Sequence, residues 1–375
     1  MIVSELDRKK QRIASILLLA LTLLNILGVL RVIPYLRQGY QDFGVFYRGA
    51  EMVRAGQAGQ LHDFHPIFEE LLFVPFTYFN FRLAYLLWTL LNVLFMALSL
   101  GVIRKMFSEV RELGWPLMIL MVTGFAPAVR AMMQGQDSIL LLLLVTVGVL
   151  LLMRGRDGWA GAALGAGLFK FHIVIPLALV LAVRRPRLLA GLACVAALLV
   201  AISVTILGWG GLFHYVRVVL QMENHGAGGT PTVAMPNLRG LIAELAGGSG
   251  AIAANVATMV ASVGALGIAL WRVGKTGTSL RYAFAVASVT SIMISYHAVI
   301  HDLTLLLPLV LLLFSARETA TPSEIWLDIG LLFLTYTGVL WGSSLWAWLN
   351  PWWWIPVVFW INRKYGWTGE KPLAC

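Results

Sequence analysis

The chain has 375 residues, of which 59% are hydrophobic and 12% are charged, and its mean hydropathy is +0.82. Soluble domains carry about 25% charged residues, so a soluble fold could not bury this much apolar surface. The apolar runs are continuous and do not alternate with polar residues, which excludes a β-barrel. The composition therefore predicts an all-α polytopic membrane protein.

The net charge of +10 is explained by the way that basic residues set the orientation of membrane spans. The basic residues cluster in short loops between the apolar runs, as the positive-inside rule expects, so no nucleic-acid partner is predicted. Cys194 lies within an apolar run and Cys375 ends the chain, and this spacing predicts no disulfide. No cleavage site follows the first apolar run at signal-peptide distance, which favours an uncleaved first span.

Twelve apolar segments predict about 12 transmembrane helices, although several are shorter than the roughly 20 residues that a full crossing needs. They lie near 13–33, 81–103, 115–130, 138–153, 159–170, 172–183, 187–208, 250–271, 281–298, 302–316, 325–343 and 350–362. With both termini in the cytoplasm, the inner loops hold most of the 28 basic residues. A single membrane domain, 1–375, then has two long outer loops, 34–80 and 209–249.

The first outer loop predicts two amphipathic helices in the membrane interface. In DFGVFYRGAEMVR (42–54) the apolar residues that follow Asp42 share one helical face. In HPIFEELLFVPF (65–76), Phe68, Leu72 and Phe76 would face lipid. Asp42 stands where an N-cap is expected. It is also placed to act as a catalytic carboxylate at the mouth of a lipid-facing groove, and both interpretations stay open.

The segment 154–187 predicts a break within the membrane. RGRDG (154–158) and RRPR (184–187) both look cytoplasmic, yet only about 25 residues separate them. Two short helices that turn at 169–172 would keep both on one side, and the turn, with Lys170, would lie in a protein-lined dip. GAALG (161–165) has the small-residue spacing that lets helices pack closely.

Further polar residues are candidates for a site on the outer side. Gln136 and Asp137 stand at the outer end of a predicted span, and Asp137 is expected to be an N-cap. His297 and His301 lie four residues apart on a predicted helical face, next to Asp302. This spacing could hold a metal ion, but we favour hydrogen bonding or substrate contact, so no metal site is assigned. A divalent cation remains the alternative.

Three stretches resemble glycosyltransferase family 87, whose members are polytopic enzymes of the GT-C fold. They are DFGVFYRGAEMVRAGQAGQLHD (42–63), GQDSILLLLL (135–144) and GWAGAALGAGLFKFHIVIPLALVLAVRRPR (158–187). The resemblance covers most of 13–210 and weakens beyond it. His62-Asp63 departs from the Tyr-Asp pair of the family, which puts the identity of the substrate in doubt more than the fold.

The resemblance implies a hexosyltransferase of the bacterial inner membrane that inverts at the sugar carbon. It would take a hexose, with mannose expected, from a polyprenyl-phosphate donor to a glycan or glycolipid on the extracytoplasmic face. Asp42 would be the general base, and Lys170, with Arg239 or Arg130, would bind the donor phosphate. We assign substrate contacts to Tyr47, Asp63, Gln136, His172, His225, His297, His301 and Asp302.

Three other classes stay open at this stage. A transporter or flippase for a lipid-linked sugar would predict polar residues through the spans and inverted repeats. A ligase of the O-antigen type would keep the fold and change the donor. A non-catalytic assembly factor would need Asp42 only for folding.

Overall fold

A computed structural model describes residues 5–36, 42–61, 65–225, 232–247, 252–275, 277–316, 321–341 and 353–365. Throughout these ranges the chain forms helices and connecting turns, without a β-strand. The predicted all-α class is therefore confirmed. Asp63 and most of the tryptophan-rich stretch 346–354 lie outside the described residues, and so does the side chain of His225.

The helices of the first half are α1 (Glu5–Leu36), α2 (Phe43–Arg54), α3 (Ile67–Phe73), α4 (Phe81–Met106), α5 (Ser108–Arg111), α6 (Trp115–Thr123), α7 (Ala126–Gln134) and α8 (Ser138–Met153). Those of the second half are α9 (Asp157–Gly165), α10 (Phe171–Ala182), α11 (Leu188–His225), α12 (Leu238–Leu245), α13 (Ile252–Gly274), α14 (Leu280–Met293), α15 (Leu307–Ser315), α16 (Pro322–Trp341) and α17 (Trp354–Tyr365). Short 3₁₀ turns cover Ala58–Gln60, Val74–Tyr78, Leu168–Lys170, Thr232–Ala234 and Ile300–Leu306.

Several helices are suited to cross a bilayer. Within the described ranges, α1, α4, α11 and α13 are long and apolar enough, which makes 4 candidate spans, or up to 6 if each of two bent helix pairs counts as one. Other predicted segments form shorter helices; α8 has 16 residues, which rise about 24 Å against a hydrocarbon core of about 30 Å. The chain is a membrane protein, and the number of twelve crossings stays a prediction.

Burial separates the helices into two groups. All residues of α15 are buried, and so is most of α14, so these helices form the protein core. In contrast, α1 and α13 expose large apolar side chains, such as Leu27 at 61% and Ile252 at 83%. Helices that are apolar on their exposed face are typical of a lipid-contacting surface.

A break within 154–187 is confirmed, but it lies between Gly165 and Leu168 and not at the predicted 169–172. The helical path bends by 67° between α9 and the segment Leu168–Ala182. A Cβ added to Gly161 would overlap the carbonyl oxygen of Leu188, and one added to Gly165 would press on Val195. The start of α11 therefore packs directly on α9, through the small residues of GAALG. After α10 the chain therefore comes back to pack against α9. Lys170 ends the 3₁₀ turn that follows the bend.

At another end of the bundle, a group of ions joins the first helix to the last ones. Lys10 of α1 donates to Asp328 of α16 at 2.7 Å. Arg363 and Lys364 of α17 reach the same carboxylate at 2.7 and 3.1 Å. We call Asp328, Lys10, Arg363, Lys364 and Trp360 the Asp328 cluster.

Candidate active site

The helices α2 and α3 pack onto the start of α4 through aromatic rings. Phe43 and Phe46, on the buried face of α2, are at most 1% exposed. Phe46 stacks on Phe73 with ring centroids 4.6 Å apart, and Phe73 lies 4.6 Å from Trp88. The predicted amphipathic face of α2 exists, but the residues that form it pack on protein.

The buried face of α3 differs from the predicted one. Leu72 is 41% exposed, as predicted, whereas Phe68 and Phe76 are half-covered by protein. The residues that turn inward are Ile67, Glu69, Glu70 and Phe73. Two carboxyl groups are thus carried into the protein on the side of the helix that also holds its most buried ring.

Asp42 occupies the N-cap position of α2, but its side chain makes no capping hydrogen bond. Instead, Oδ2 accepts a hydrogen bond of 2.6 Å from Nε2 of Gln136. Within the described ranges, Oδ1 accepts no hydrogen bond. The carboxylate is therefore held by one oxygen and open at the other, which favours the catalytic interpretation over the capping one.

The loop between α7 and α8 is fixed by side chains of α4. Nε1 of Trp88 donates to the carbonyl of Gly135 at 2.7 Å, and Nδ2 of Asn92 donates to that of Gln136 at 3.2 Å. Gly135 has a φ of +64°, and a Cβ there would lie 2.7 Å from that of Phe43. Only glycine fits both the left-handed turn and this close approach.

Four side chains of the segment 134–138 each contact a different candidate residue. The oxygen of Gln134 lies 3.1 Å from Nδ1 of His301. Gln136 holds Asp42, as described, and Ser138 donates to Oδ1 of Asp302 at 3.0 Å. Asp137, expected to cap α8, makes no capping bond. Its carboxyl turns to Lys170, because an ammonium in an apolar setting is the stronger partner.

Lys170 is the centre of a buried ion group. Its Nζ lies 2.9 Å from Oδ1 of Asp302 and 3.1 Å from Oδ1 of Asp137. The second oxygen of Asp302 accepts from the backbone N–H of Val299 at 2.9 Å. We call Lys170, Asp137, Asp302, Ser138 and Glu69 the Lys170 cluster. Lys170 is 9% exposed, so water screens its attraction to Asp137 and Asp302 only weakly.

Glu69 joins this cluster, and the sequence analysis did not assign it to the site. Its carboxyl is close enough to hydrogen-bond with that of Asp137, and its Oε1 lies 3.0 Å from Nδ1 of His65. The available signal was the position of Glu69 and Glu70 within an apolar helical pattern, where acids are rarely buried without a partner. Gly49 leaves room for Glu70, since a Cβ there would overlap its carboxylate.

Burial raises the pKa of the Asp137 carboxyl well above its ordinary value; Lys170 opposes the rise, and Glu69 adds to it. The oxygens of Asp137 and Oε2 of Glu69 are buried without an aligned hydrogen-bond partner, although Lys170 lies at ion-pair distance from Asp137. Two carboxyls in contact are compatible when they share a proton.

Arg130 of α7 is half-buried and close enough to Asp42 for their charges to interact. In the described part of the chain, its guanidinium makes no hydrogen bond or ion pair. His301 also lies within electrostatic range of both Asp42 and Lys170. These residues place Asp42 and the Lys170 cluster in one site.

The turn that follows α14 carries a second polar group. Nδ1 of His172 lies 2.6 Å from Oγ of Ser295, and Nδ2 of Asn237 donates to the carbonyl of Ser295 at 2.8 Å. Arg239 donates to the carbonyl of Tyr296 at 3.1 Å and lies 4.0 Å from the centre of its ring. Asn237 and Arg239 thus dock the start of α12 on the turn that also contacts His172.

The predicted helical face of His297 and His301 is wrong. Because α14 ends at Met293 and the next 3₁₀ turn begins at Ile300, His297 lies in an irregular turn. Its ring is near His172, with centroids 6.3 Å apart, whereas His301 turns to Gln134. No group of three His, Cys, Asp or Glu side chains that could hold a metal ion occurs among the described residues.

Tyr47 lies apart from these contacts. It is 8% exposed, and its hydroxyl donates to the carbonyl of Phe79 at 2.7 Å. The structure therefore brings together Asp42, Gln136, Arg130, Lys170, His301 and Asp302 in one site, with His172, His297 and Arg239 beside it. Tyr47 instead joins α2 to the residue Phe79 that precedes α4.

Comparison with known proteins gives one match. The family model described as Glycosyltransferase family 87 matches residues 64–295. The matched range includes the loop 134–138, Lys170 and Arg239, and it ends at Ser295, before His301 and Asp302. Neither the curated proteins nor the solved structures gave a match.

Proposed function

The chain belongs to glycosyltransferase family 87, and from this premise we propose that it transfers a hexose, with mannose as the expected sugar. The donor would be a polyprenyl-phosphate-linked sugar, and the acceptor a glycan or glycolipid. We place the reaction on the extracytoplasmic face of a bacterial inner membrane, with both chain termini in the cytoplasm. Asp42, near the candidate groove of the first outer loop, would then meet donors that diffuse in the bilayer.

The observation that carries the proposal is the state of the Asp42 carboxylate, which is anchored at Oδ2 and, among the described residues, accepts no hydrogen bond at Oδ1. We propose that Oδ1 takes the proton of the acceptor hydroxyl. The hydroxyl oxygen then forms a bond to the anomeric carbon of the donor. The bond from that carbon to the phosphate oxygen breaks, and the electron pair leaves with the polyprenyl phosphate. Attack opposite the leaving group inverts the anomeric centre.

The leaving phosphate needs cations more than it needs an acid. Of the assigned residues, Arg130 is the best suited, because its guanidinium is not paired within the described part of the chain. Lys170 is already balanced by Asp137 and Asp302, and Arg239 is engaged by Tyr296. We therefore propose that Arg130 binds the phosphate first, and that Lys170 and Arg239 shape the surrounding field.

The remaining assignments concern the sugars. We propose that His172, His297, His301 and Asp302 line the substrate side of the site, near the turn that follows α14. Asp63 and His225 remain proposed contacts, although the structure does not describe their side chains. A divalent cation remains an alternative to this scheme, and no residue is assigned to it.

The test is a transfer assay on purified protein in lipid nanodiscs. Wild type and Asp42→Asn would be incubated with polyprenyl-phosphate-[radiolabelled mannose] and a crude glycolipid extract. We expect transfer by wild type and a loss of about 10³-fold or more for Asp42→Asn, since the amide cannot accept the proton. Glu244→Gln, which changes an exposed acid of α12, is the matched control and should retain activity.

Each other outcome identifies a different error. Equal transfer by wild type and Asp42→Asn would show that Asp42 is not the base. Transfer from a glucose or galactose donor alone would keep the reaction class and correct the sugar. In sealed proteoliposomes, movement of the intact donor across the bilayer without transfer would support the transporter alternative and overturn the proposal.

A further inference from the structure

We propose that Gln136 is a positioning residue for the base, and not a sugar-binding residue as its polar side chain first suggests. Its amide holds Oδ2 of Asp42 and thereby turns Oδ1 toward the acceptor hydroxyl. This inference rests on the proposed function, because it assumes that Asp42 accepts the proton.

The geometry of the contact supports a positioning role. The hydrogen bond from Nε2 of Gln136 to Oδ2 of Asp42 is 2.6 Å long and joins residues 94 positions apart. Gln136 is 6% exposed, so little of its surface is left for a substrate. Its amide hydrogen is the only one that the carboxylate accepts in the described part of the chain.

Without this contact, Asp42 would have a competing partner. An Asp at the N-cap normally accepts from the backbone N–H two or three residues further on, which would turn the carboxylate toward α2. Here the backbone of Asp42 has helical angles, φ −60° and ψ −30°, and the side chain makes no such bond. The hydrogen bond from Gln136 therefore fixes the direction of the carboxylate, and the helical backbone angles of Asp42 also disfavour capping of α2.

The chemical type of the donor also fits. A lysine or arginine at this distance would stabilise the ionised carboxylate strongly and make Asp42 a weaker base. A neutral amide donates a hydrogen bond with much less effect on basicity. An amide thus fixes the direction of the carboxylate at little cost to its ability to accept a proton.

Gln136 is itself held firmly. Asn92 donates to its backbone carbonyl, Trp88 donates to that of Gly135, and both donors belong to the long helix α4. Asp137, the next residue, is tied to Lys170. A positioning residue is effective only when its own support is rigid, and this loop meets that condition.

Two variants test the role, with rates measured against acceptor concentration and pH. Gln136→Met keeps the length of the side chain and removes the donor. We expect kcat to fall roughly 10- to 100-fold, as for a misplaced catalytic group, with little change in the KM for the acceptor. Gln136→Glu places a second carboxyl beside Asp42, which raises the pKa of the base. Activity should then be lost at a higher pH on the acidic limb, by about one unit or more.

Three comparisons separate the possible results. Gln57→Met, an exposed glutamine of the same outer loop, should behave as wild type. If Asp42→Asn is inactive but both Gln136 variants keep the wild-type kcat and pH profile, the positioning role is overturned and the proposed function stands. A rise in acceptor KM at constant kcat would make Gln136 a substrate ligand and also overturn it. If Asp42→Asn is active, the proposed base fails first. If Gln136→Met does not fold, the pH profile of Gln136→Glu decides.

Discussion

The Lys170 cluster and the Asp328 cluster are both buried ion groups that join distant parts of the chain, but their charge balance is opposite. In the first, one ammonium faces Asp137 and Asp302, with Glu69 in contact with Asp137. In the second, one carboxylate faces the cations of Lys10, Arg363 and Lys364.

The two clusters also differ in how well their polar atoms are satisfied. Both oxygens of Asp328 receive aligned donors, including Nε1 of Trp360 at 3.2 Å. In the Lys170 cluster, the oxygens of Asp137 lack an aligned donor within the described ranges, and no described residue donates to Oδ1 of Asp42. Buried polar groups are normally satisfied, and a catalytic role is one reason for an exception. We therefore propose a structural role for the Asp328 cluster and a functional role for the Lys170 cluster.

The largest effect is expected from Lys170→Met. Removing the ammonium leaves Asp137 and Asp302 as buried acids without their cation, which costs about 3–5 kcal/mol when one partner of a buried pair is removed. We expect a strongly lowered melting temperature in detergent and no measurable transfer. The double variant Lys170→Met, Asp137→Asn should regain part of the stability, but not activity. A stable and active Lys170→Met protein would show that Lys170 is needed neither for stability nor for transfer.

A smaller effect is expected from Asp328→Asn. The amide oxygen still accepts hydrogen bonds, but the amide nitrogen would face donors, and the charge that balances Lys10, Arg363 and Lys364 is lost. Because Arg363 is partly exposed and can be hydrated, we expect a cost of about 2 kcal/mol, as for hydrogen bonds to charged groups. The transfer rate per folded molecule should stay within about twofold of wild type, since a purely structural network acts on stability alone. A loss of kcat in folded Asp328→Asn protein would contradict the purely structural role of the Asp328 cluster. Glu5→Gln, an exposed acid of α1, is the control for the loss of one acid.

Local patterns predicted the helices well, because hydrophobic period and flanking charge are properties of neighbouring residues. Such local patterns predicted the start of α8, the existence of a break before Lys170 and the close packing of GAALG. Contacts between distant segments were not. The bond between Asp42 and Gln136, and the turn of Asp137 away from its capping position toward Lys170, depend on how α2, α8 and α10 assemble. The helical face of His297 and His301 failed because α14 stops at Met293, within a run that is apolar on both sides of the stop.

The smallest effect concerns Ser138, which donates to Asp302 within the Lys170 cluster. In Ser138→Ala, Asp302 keeps Lys170 and the N–H of Val299, so the expected cost is only about 1 kcal/mol. The matched control is Ser288→Ala, a fully buried serine whose hydroxyl donates to the carbonyl of Phe284. Both variants should show similar small shifts in melting temperature, but only Ser138→Ala should lower kcat, by a few-fold, because Asp302 and Lys170 would lose part of their fixed geometry. Equal kcat in the two variants would mean that the cluster tolerates the loss of one donor, and that its catalytic contribution comes from Lys170 and the acids alone.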